Sequence, residues 1–417
     1  MGEKQYGLLG RHLRHSWSVP IHAALGCTDY RLIELEPEEL GAFLARTDIG
    51  GLNVTLPYKR DVMPYCDVLE PLAAEIGSVN TIVRRADGRL YGCNTDAAGF
   101  CFMARRAGIG LAGRKVLVLG SGGASLTVRA CAGKLGARET VVISRSGPDS
   151  YENLDRHADA EIVVNTTPLG MYPHCGEAAA DLTAFPQCRG VLDLIYNPRR
   201  TALLLQAEAL GIPCSDGLPM LVEQARAAEE LFFGRPIAAR ESERLLAQLR
   251  REQTNLVLIG MPGSGKSTIG AALAALTGRE AIDLDERIVQ KTGRSIPDIF
   301  AADGEAAFRA LEREVAAECG AESGKILITG GGVVKTPENY AALHQNGRIY
   351  QLLRPLELLS TDGRPLSQGR DLAALWTERA PLYERFCDAA ADNSGTVEQT
   401  AQNIWRDFCE NFSDQRP

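Results

Sequence analysis

Short apolar runs alternate along the chain with segments whose apolar residues recur every three or four positions. The clearest run, Leu256 to Ile259, leads into a glycine-rich loop and then into helical spacing through Ile269 and Leu273. Lys115 to Leu119 also leads into glycines, and Tyr6 to Gly10 begins an N-terminal region of the same character. Short apolar runs bounded by turns predict buried strands, and apolar residues at i, i+3 and i+4 predict amphipathic helices. The alternation predicts an α/β layer structure.

The length of the chain predicts more than one domain. Its 417 residues exceed what a single hydrophobic core usually supports, so we expect two or three domains. Hydrophobic residues make up 45% and charged residues 24%, as in ordinary soluble globular proteins. The sequence has no apolar run of about 18 residues, and the N-terminus lacks a basic segment followed by a long apolar one. We therefore expect a soluble, cytoplasmic protein with no membrane segment.

Cysteine usage and charge narrow the class of partner. Eleven cysteines are scattered singly, without a Cys-x-x-Cys pair or zinc-ligand spacing, which favours reduced thiols and argues against a structural metal. Net charge is −8, from 53 acidic and 45 basic residues, with no basic tract. Nucleic acid and anionic membranes are therefore disfavoured, and small-molecule substrates are expected. An anionic substrate would have to be held by a few placed Lys or Arg side chains. The oligomeric state stays open.

The loop after Ile259 fits a phosphate-binding motif. Gly260, Gly265, Lys266 and Ser267 occupy the fixed positions of Gly-x-x-x-x-Gly-Lys-Ser/Thr. In such loops the backbone N–H groups surround the phosphates of ATP, the lysine reaches the outer phosphates, and the hydroxyl holds Mg²⁺. A predicted strand before the loop and a helix after it favour a true site. Because such a loop normally follows the first strand of its domain, the preceding 250 or so residues must form something else.

A second glycine-rich turn indicates a dinucleotide site. Gly120 and Gly122 follow the predicted strand Lys115 to Leu119, and the small Ser125 stands where a third glycine often packs. The next strand, Thr140 to Ile143, ends in Ser144 and Arg145, and an arginine there suits the 2′-phosphate of NADP rather than the 2′-hydroxyl of NAD. The alternatives are a simple tight turn and a solvated arginine.

Polar clusters follow the predicted strands of the first 100 residues. They are His15 to Ser18, Asn53 to Lys59, and Val79 to Thr81 together with Asn94 to Asp96. If the backbone is extended at Ser16 and Ser18, their hydroxyls share one face. Taken singly, each cluster is typical of a turn or a helix cap. Their joint occurrence before a dinucleotide motif favours a substrate site.

Together with Asn165 to Met171 and Asp216 to Gln224, these motifs resemble shikimate dehydrogenase over roughly residues 1–245. The resemblance implies that the N-terminal layer and the Gln224 helix bind 3-dehydroshikimate or shikimate across a cleft from the nicotinamide. Lys59 and Asp96 would be the pair at the reacting carbon. Ser16 and Ser18 would hold the substrate carboxylate, with Thr55, Asn80, Tyr196 and Gln224 at its other polar groups. The NADP-binding set would be Gly120, Gly122, Gly123, Ala124, Ser125, Ser144, Arg145 and Gly217.

The chemistry of ketone reduction requires such a pair. Hydride delivery leaves an alkoxide, which needs a proton donor or a cation at its oxygen. Lys59 can supply both, and Asp96 can orient the lysine and favour its protonated form. Which of the two moves the proton stays open. The sequence departs from the family pattern at Ser18-Val19-Pro20 and at Ser144-Arg145-Ser146, and the second departure bears on the NADP preference. An alternative keeps the fold but uses quinate or NAD, and Ser16 and Ser18 favour shikimate.

The segment after the phosphate loop resembles shikimate kinase over roughly residues 254–410. Ala281 to Asp285 is predicted to place two carboxylates on one face of a strand end. By resemblance, Asp283 belongs with Ser267 at the metal, and Asp285 receives the hydroxyl that is phosphorylated. ATP would be bound by Gly263, Gly265, Lys266, Ser267, Thr268 and Arg364. Shikimate would be bound by Asp285, Arg309, Gly331, Gly332 and Arg379, with the two arginines at the carboxylate.

The predicted organisation is one chain with three α/β parts. These are a substrate-binding domain at 1–105 completed by helices in 219–250, a Rossmann domain at 106–218, and a P-loop kinase domain at 254–417. The leading hypothesis is a bifunctional enzyme of aromatic amino-acid precursor synthesis, which uses NADP(H), ATP and Mg²⁺. An alternative is that the kinase half is a non-catalytic regulatory module, because its lid segment is about ten residues shorter than the resemblance leads us to expect.

Overall fold

The computed structural model describes residues 4–13, 16–359 and 372–412. The chain divides into two compact units. The first comprises Met1–Gly170, Glu177–Tyr196 and Leu203–Leu246, and the second comprises Met171–Gly176, Asn197–Ala202 and Ala247–Pro417. Among the described residues, no helix combines the length and apolar character needed to cross a bilayer.

The first unit begins with a mixed six-stranded sheet. Its strands are β1 (Gln5–Gly10), β2 (Tyr30–Glu34), β3 (Ile49–Val54), β4 (Val68–Leu69), β5 (Thr81–Arg84) and β6 (Leu90–Cys93), in the order β2-β1-β3-β5-β6-β4. β3 pairs with β1 in parallel and with β5 antiparallel, and β5 pairs antiparallel with β6. The helices of this region are α1 (Ser18–Leu25), α2 (Leu40–Leu44), α3 (Pro71–Ile76) and α4 (Asp96–Arg106).

The same unit contains a second sheet, which is fully parallel. Its strands are β7 (Lys115–Leu119), β8 (Glu139–Ile143), β9 (Ile162–Asn165), β10 (Gly190–Asp193) and β11 (Cys214–Ser215), in the order β11-β10-β9-β7-β8. The helices are α5 (Gly123–Lys134), α6 (Ala202–Ala209), α7 (Leu218–Phe233) and α8 (Arg240–Gln253), and the boundary between the units falls within α8. Since parallel sheets are covered on both faces, their strands are largely apolar, as in the buried β7, where four apolar residues follow Lys115.

The second unit has a five-stranded parallel sheet. Its strands are β12 (Asn255–Ile259), β13 (Ala281–Asp283), β14 (Ile326–Ile328), β15 (Gly347–Leu353) and β16 (Ala389–Asp392), in the order β13-β14-β12-β15-β16. The helices are α9 (Lys266–Thr277), α10 (Leu284–Thr292), α11 (Ile296–Ala321), α12 (Glu338–His344), α13 (Leu372–Phe386) and α14 (Val397–Glu410). Short 3₁₀ turns across both units lie at Pro37–Glu39, Met63–Tyr65, Tyr151–His157, Leu182–Ala184, Val333–Lys335 and Leu356–Leu358.

Apolar side chains on the faces of these sheets form the cores. In the first unit Phe100 of α4 is fully buried with Val116 and Val118 of β7. In the second, Val257 and Ile259 of β12 are buried on one face, whereas Leu256 and Leu258 belong to the cluster on the other. The predicted α/β class is confirmed. The central position of β12 places the end of that strand, where the phosphate loop begins, in the middle of the carboxyl edge of its sheet.

Candidate active sites

Lys59 and Asp96 form an ion pair at the carboxyl edge of the first sheet. The Lys59 Nζ donates to the Asp96 Oδ2 at 2.5 Å, and 19% and 12% of the two side chains are exposed. Asp96 is the first residue of α4, and its other oxygen accepts from the Asn80 Nδ2 at 2.9 Å. The Lys59 carbonyl accepts the Val79 N–H, which fixes the backbone of this turn to the chain before β5. The carboxylate therefore holds the ammonium group in place, with both side chains partly exposed.

A buried hydrogen-bond network supports this pair. The Asn80 Oδ1 accepts the Thr95 N–H at 2.7 Å, and the Thr81 and Thr95 hydroxyls lie 2.9 Å apart. Asn53 continues the network to the Tyr30 hydroxyl, 2.8 Å away. The Asn80 side-chain amide, which the resemblance assigned to substrate, thus also fixes Asp96. The roles of Thr81, Thr95 and Tyr30 were not foreseen, although the first two lie within the motifs that signalled the site.

The two serines meet at the start of a helix. The Ser16 Oγ donates to the Ser18 Oγ at 3.1 Å, and the Ser18 N–H donates to the Ser16 Oγ. Ser18 is the first residue of α1, so the extended backbone under which both hydroxyls would share a strand face is not present there. The two hydrogen bonds bring the hydroxyls together instead. Between the serines, Trp17 packs against Tyr196 with ring centroids 5.0 Å apart.

The remaining substrate residues lie on neighbouring elements of the same unit. Thr55 follows β3 and donates its N–H to the Leu9 carbonyl of β1. Gln224 lies on α7, where its side-chain amide donates to the Leu221 carbonyl. The packing of α7 against α1 includes a fully buried pair, His22 and Glu229, at 2.5 Å. Nothing in the sequence analysis indicated this pair, because its members are separated by 207 positions.

The dinucleotide loop has the predicted strand, turn and helix. Gly120 has a φ of +103°, and a Cβ there would lie 2.8 Å from the Thr166 Oγ1. Gly122 and the helix residue Gly123 have open space at their Cβ positions, as the approach of a ligand to backbone N–H groups requires. The Ser125 hydroxyl donates to the Gly122 carbonyl at 2.7 Å and so fixes the turn, while Ala124 lies in the first turn of α5.

Ser144 and Arg145 follow β8, beside the dinucleotide loop in sheet order. The Ser144 N–H donates to the Asp149 carbonyl at 3.1 Å, which closes a short loop in which Arg145 is exposed. The Asp149 carboxylate lies 3.0 Å from the His157 Nε2. The Arg145 guanidinium is therefore exposed to solvent at the end of β8.

Gly217 has a structural reason to lack a side chain. A Cβ built there would lie 2.1 Å from the Leu194 carbonyl oxygen, and the Gly217 N–H donates to the Ile195 carbonyl at 2.8 Å.

Gly217→Ala is therefore expected to destabilise the first unit by about 1–3 kcal/mol, because the backbone must move. The check is the temperature at which dehydrogenase activity is lost. Gly110→Ala is the matched control, since nothing lies within 4 Å of its Cβ position. Equal behaviour of the two variants would contradict the expectation.

The phosphate loop of the second unit joins β12 to α9. Gly263 and Gly265 have φ values of +83° and +92°, and Thr268 lies in the first turn of the helix. The Lys266 Nζ lies beneath the loop, where it donates to the Gly260 and Met261 carbonyls at 2.9 and 3.0 Å. The loop therefore holds its lysine at the place where the outer phosphates of a nucleotide bind.

Ser267 and Asp283 form an oxygen donor set beside the loop. The Ser267 hydroxyl donates to the Asp283 Oδ2 at 3.2 Å, and the Asp283 Oδ1 accepts the Asp285 N–H. A hydroxyl and a carboxylate suit the oxygen preference of Mg²⁺. Asp283 is the N-cap of α10 and Asp285 lies in its first turn, so the prediction that both acids share a strand face was wrong. The N-cap turn brings them together instead.

A cavity of about 720 Å³ connects these acids to the predicted substrate arginines. Its lining includes most of the residues that the resemblance implied: Lys266, Ser267, Asp283, Asp285, Arg309, Gly331, Gly332 and Arg379. The Arg379 Nη1 and the Tyr383 hydroxyl both donate to the Gly331 carbonyl, at 2.9 and 2.5 Å. A Cβ on Gly332 would lie 2.4 Å from the Arg309 Nη2, so a side chain at this position would displace the Arg309 guanidinium. Arg364 lies outside the described residues.

Buried polar groups orient the arginines. The Arg309 Nη1 donates to the Glu312 Oε2 at 2.7 Å, and Glu305 accepts from the same guanidinium. Burial raises the pKa of the Glu312 carboxyl, and the charge of Arg309 counteracts that rise. Burial likewise raises the pKa of Tyr383 to about 12, so its hydroxyl keeps the proton that it donates. Glu312 and Tyr383 stand within the motifs of the sequence analysis, but nothing there indicated their contacts.

The two sites define the class of the protein: a nicotinamide-dependent α/β dehydrogenase joined to a P-loop kinase. The family model for the shikimate dehydrogenase substrate-binding domain matches residues 8–82, and that for shikimate kinase matches residues 262–409. The NADP⁺-dependent shikimate dehydrogenase of Symbiobacterium thermophilum is 35% identical over 261 residues, which is 55% of this chain and 88% of that protein. The chain therefore belongs to the shikimate dehydrogenase family, and it carries a shikimate kinase domain at its C-terminal end.

Solved structures agree for the first unit. A chorismate mutase/shikimate 5-dehydrogenase fusion protein from Clostridium acetobutylicum is 33% identical with a TM-score of 0.57, covering 60% of this chain and 97% of that one. A quinate dehydrogenase from Corynebacterium glutamicum in complex with NAD is 30% identical with a TM-score of 0.53, covering 59% and 99%. The fold is thus shared by dehydrogenases with different substrates and cofactors, so their specificity depends on individual residues.

Proposed function

We propose that this one chain catalyses two consecutive reactions. The N-terminal part reduces 3-dehydroshikimate to shikimate with NADPH, and the C-terminal part phosphorylates the 3-hydroxyl of shikimate with ATP. The observation that carries the proposal is that each part holds its reacting groups together. Lys59 lies 2.5 Å from Asp96, and Lys266, Asp283 and Asp285 line one cavity with Arg309 and Arg379. We further propose the domain division 1–105 with 219–250, 106–218 and 254–417. The eleven free thiols suit the reducing cytoplasm.

In the dehydrogenase, we assign the charge chemistry to Lys59. NADPH, bound at the Gly120 to Ser125 loop, supplies the hydride. Lys59 places a positive charge and a proton donor at the ketone oxygen, where negative charge develops. Asp96 holds the ammonium in place and is itself fixed by Asn80. Ser16 and Ser18 bind the substrate carboxylate, and Thr55, Asn80, Tyr196 and Gln224 contact the remaining polar groups.

In the kinase, positioning and charge account for the chemistry. Ser267 and Asp283 would hold Mg²⁺, which neutralises phosphate charge when bound. Lys266 binds the outer phosphates, and the backbone of Gly263, Gly265 and Thr268 surrounds them. Asp285 accepts the hydrogen of the attacking hydroxyl. Arg309 and Arg379 bind the shikimate carboxylate, and Gly331 and Gly332 lie against its ring.

Two rival interpretations make different predictions. A non-catalytic kinase module has no need for Asp285 beside Arg309, Arg379 and a phosphate loop, and the common cavity of these groups favours catalysis. A quinate or NAD enzyme is favoured only by the likeness to the quinate dehydrogenase. Separate assays of the purified chain decide both. We expect the purified chain to oxidise NADPH when 3-dehydroshikimate is supplied, and to form ADP when ATP and shikimate are supplied. The absence of either activity would contradict that half of the proposal.

The NADP preference depends on Arg145. Arg145→Ala is expected to raise the KM for NADPH about tenfold and to leave the KM for NADH nearly unchanged, because only NADPH carries a 2′-phosphate that the guanidinium can bind. Steady-state kinetics with both cofactors measure this. Arg138→Ala is the control, since Arg138 precedes β8 at the opposite edge of the sheet. A parallel change for both cofactors would show that Arg145 does not bind the 2′-phosphate.

A further inference from the structure

The chain leaving β15 passes beside the phosphate loop. β15 pairs in parallel with β12, with Gln351 opposite Ile259, the last strand residue before the loop. A Cβ on Gly260 would lie only 2.9 Å from the Leu352 carbonyl oxygen. Two residues later, Arg354 stands at the carboxyl edge of the sheet with an exposed side chain. A cation therefore follows the strand that borders the nucleotide loop.

The guanidinium of Arg354 lies against the loop itself. A Cβ built on Gly265 would be 3.6 Å from the Arg354 Nη1. Gly265 is the N-cap of α9, and its neighbour Lys266 is the phosphate-binding lysine. In loops of this type the backbone N–H groups surround the α- and β-phosphates, whereas the lysine reaches the β- and γ-phosphates. Arg354 thus stands next to the backbone that surrounds phosphates in loops of this type.

A buried asparagine fixes the geometry on this side. The Asn393 Nδ2 donates to the Ser264 carbonyl in the loop at 2.7 Å, and the Asn393 N–H donates to the Leu353 carbonyl at 2.8 Å. Asn393 is 6% exposed. It therefore connects the loop to the residue immediately before Arg354, so the separation between the loop and the base of the Arg354 side chain is set by two hydrogen bonds.

The two arginines that line the kinase cavity have hydrogen-bond partners of their own. Arg309 is paired with Glu312 and Glu305, and Arg379 donates to the Gly331 carbonyl. Both line the cavity that also contains Asp285, where shikimate is proposed to bind. Arg354 is not among the lining residues of that cavity, and its guanidinium lies next to Gly265 of the phosphate loop. Its charge is therefore beside the nucleotide loop.

We propose that Arg354 is a nucleotide-binding residue of the kinase, whose guanidinium binds the α- and β-phosphates from the end of β15. The proposal rests on the proposed function of the C-terminal part as an ATP-dependent kinase. A guanidinium presents several N–H groups in a planar fork and binds phosphate oxygens through charge-assisted hydrogen bonds.

Binding measurements on the full-length chain test this assignment. Calorimetry with MgADP, MgATP and adenosine is compared for the wild type, Arg354→Ala and Arg354→Lys. Arg385→Ala is the control, because Arg385 is an exposed arginine at the end of α13. We expect Arg354→Ala to weaken MgADP and MgATP about tenfold, with adenosine unchanged and partial recovery in Arg354→Lys. The KM for ATP should rise, while the KM for shikimate and the dehydrogenase rate stay within about twofold of the wild type.

Two results would overturn the assignment. One is MgADP affinity of Arg354→Ala within twofold of the wild type. The other is an equal loss of adenosine affinity, which would mean a disturbed loop and not a lost phosphate contact. A failure of the proposed function is distinguishable, because the wild-type chain would then bind MgADP without forming ADP from ATP and shikimate.

Discussion

Lys266→Ala is expected to lower the rate of ATP-dependent phosphorylation of shikimate by about 10²- to 10³-fold. The lysine is 8% exposed and is held beneath the loop by two carbonyls, so its charge is fixed where the transferred phosphoryl group becomes more negative. Transition states of this kind are stabilised mainly by positioned charge. The rate of ADP formation with saturating shikimate measures the loss.

Two comparisons make this result specific. Lys325→Ala removes a lysine that precedes β14, at the sheet edge opposite the loop, and should retain kinase activity. NADPH-dependent reduction by Lys266→Ala should equal that of the wild type, which shows that the chain is folded. Near-normal ADP formation by Lys266→Ala would reject the kinase assignment.

Lys59→Ala is expected to slow reduction of 3-dehydroshikimate by about 10²- to 10⁴-fold. The substitution removes the cation and the proton donor from the ketone oxygen. Of the two side chains that donate to Asp96, it leaves only Asn80. Asp96→Asn should also be slow, because an amide does not hold the ammonium by charge. The initial rate of NADPH oxidation is the readout, with phosphorylation of added shikimate as the internal control for folding.

Lys134→Ala offers a matched comparison within the same unit. Lys134 is an exposed lysine at the end of α5 that pairs with Glu75. Its loss should leave reduction within about twofold of the wild type, as expected for a surface ion pair. If Lys59→Ala behaved like Lys134→Ala, the role assigned to Lys59 would be wrong.

The parts of the fold that follow from local pattern were predictable. Buried strands such as β7 and β12 are continuous apolar runs, and the glycine loops after them have their own signatures. Ser18 and Asp285 show where this reasoning ends. The spacing of polar residues was considered in terms of strand faces, yet Ser18 starts a helix and Asp285 lies in the first turn of one. Two polar residues separated by one position fit a strand face and a helix start equally well.

Contacts between distant segments were not predictable. The Arg309–Glu312 pair lies within one helix, but its place in the site depends on the approach of Gly332, which lies on another part of the chain. His22 and Glu229 meet only because α1 packs on α7. The sequence places Arg354 after a strand, but only the pairing of β15 with β12 brings it to Gly265. Such groups are recognised once the order of the strands is known.

The central claim, that one chain makes shikimate and then phosphorylates it, has a direct measurement. The purified chain is supplied with 3-dehydroshikimate, NADPH and MgATP, and NADP⁺, ADP, shikimate and shikimate 3-phosphate are quantified over time. We predict that the wild type forms shikimate 3-phosphate with one NADPH and one ATP consumed per product, that Lys266→Ala stops at shikimate, and that Lys59→Ala forms neither. Accumulation of shikimate by the wild type without ADP formation, or ADP formation by Lys266→Ala at the wild-type rate, would contradict the account.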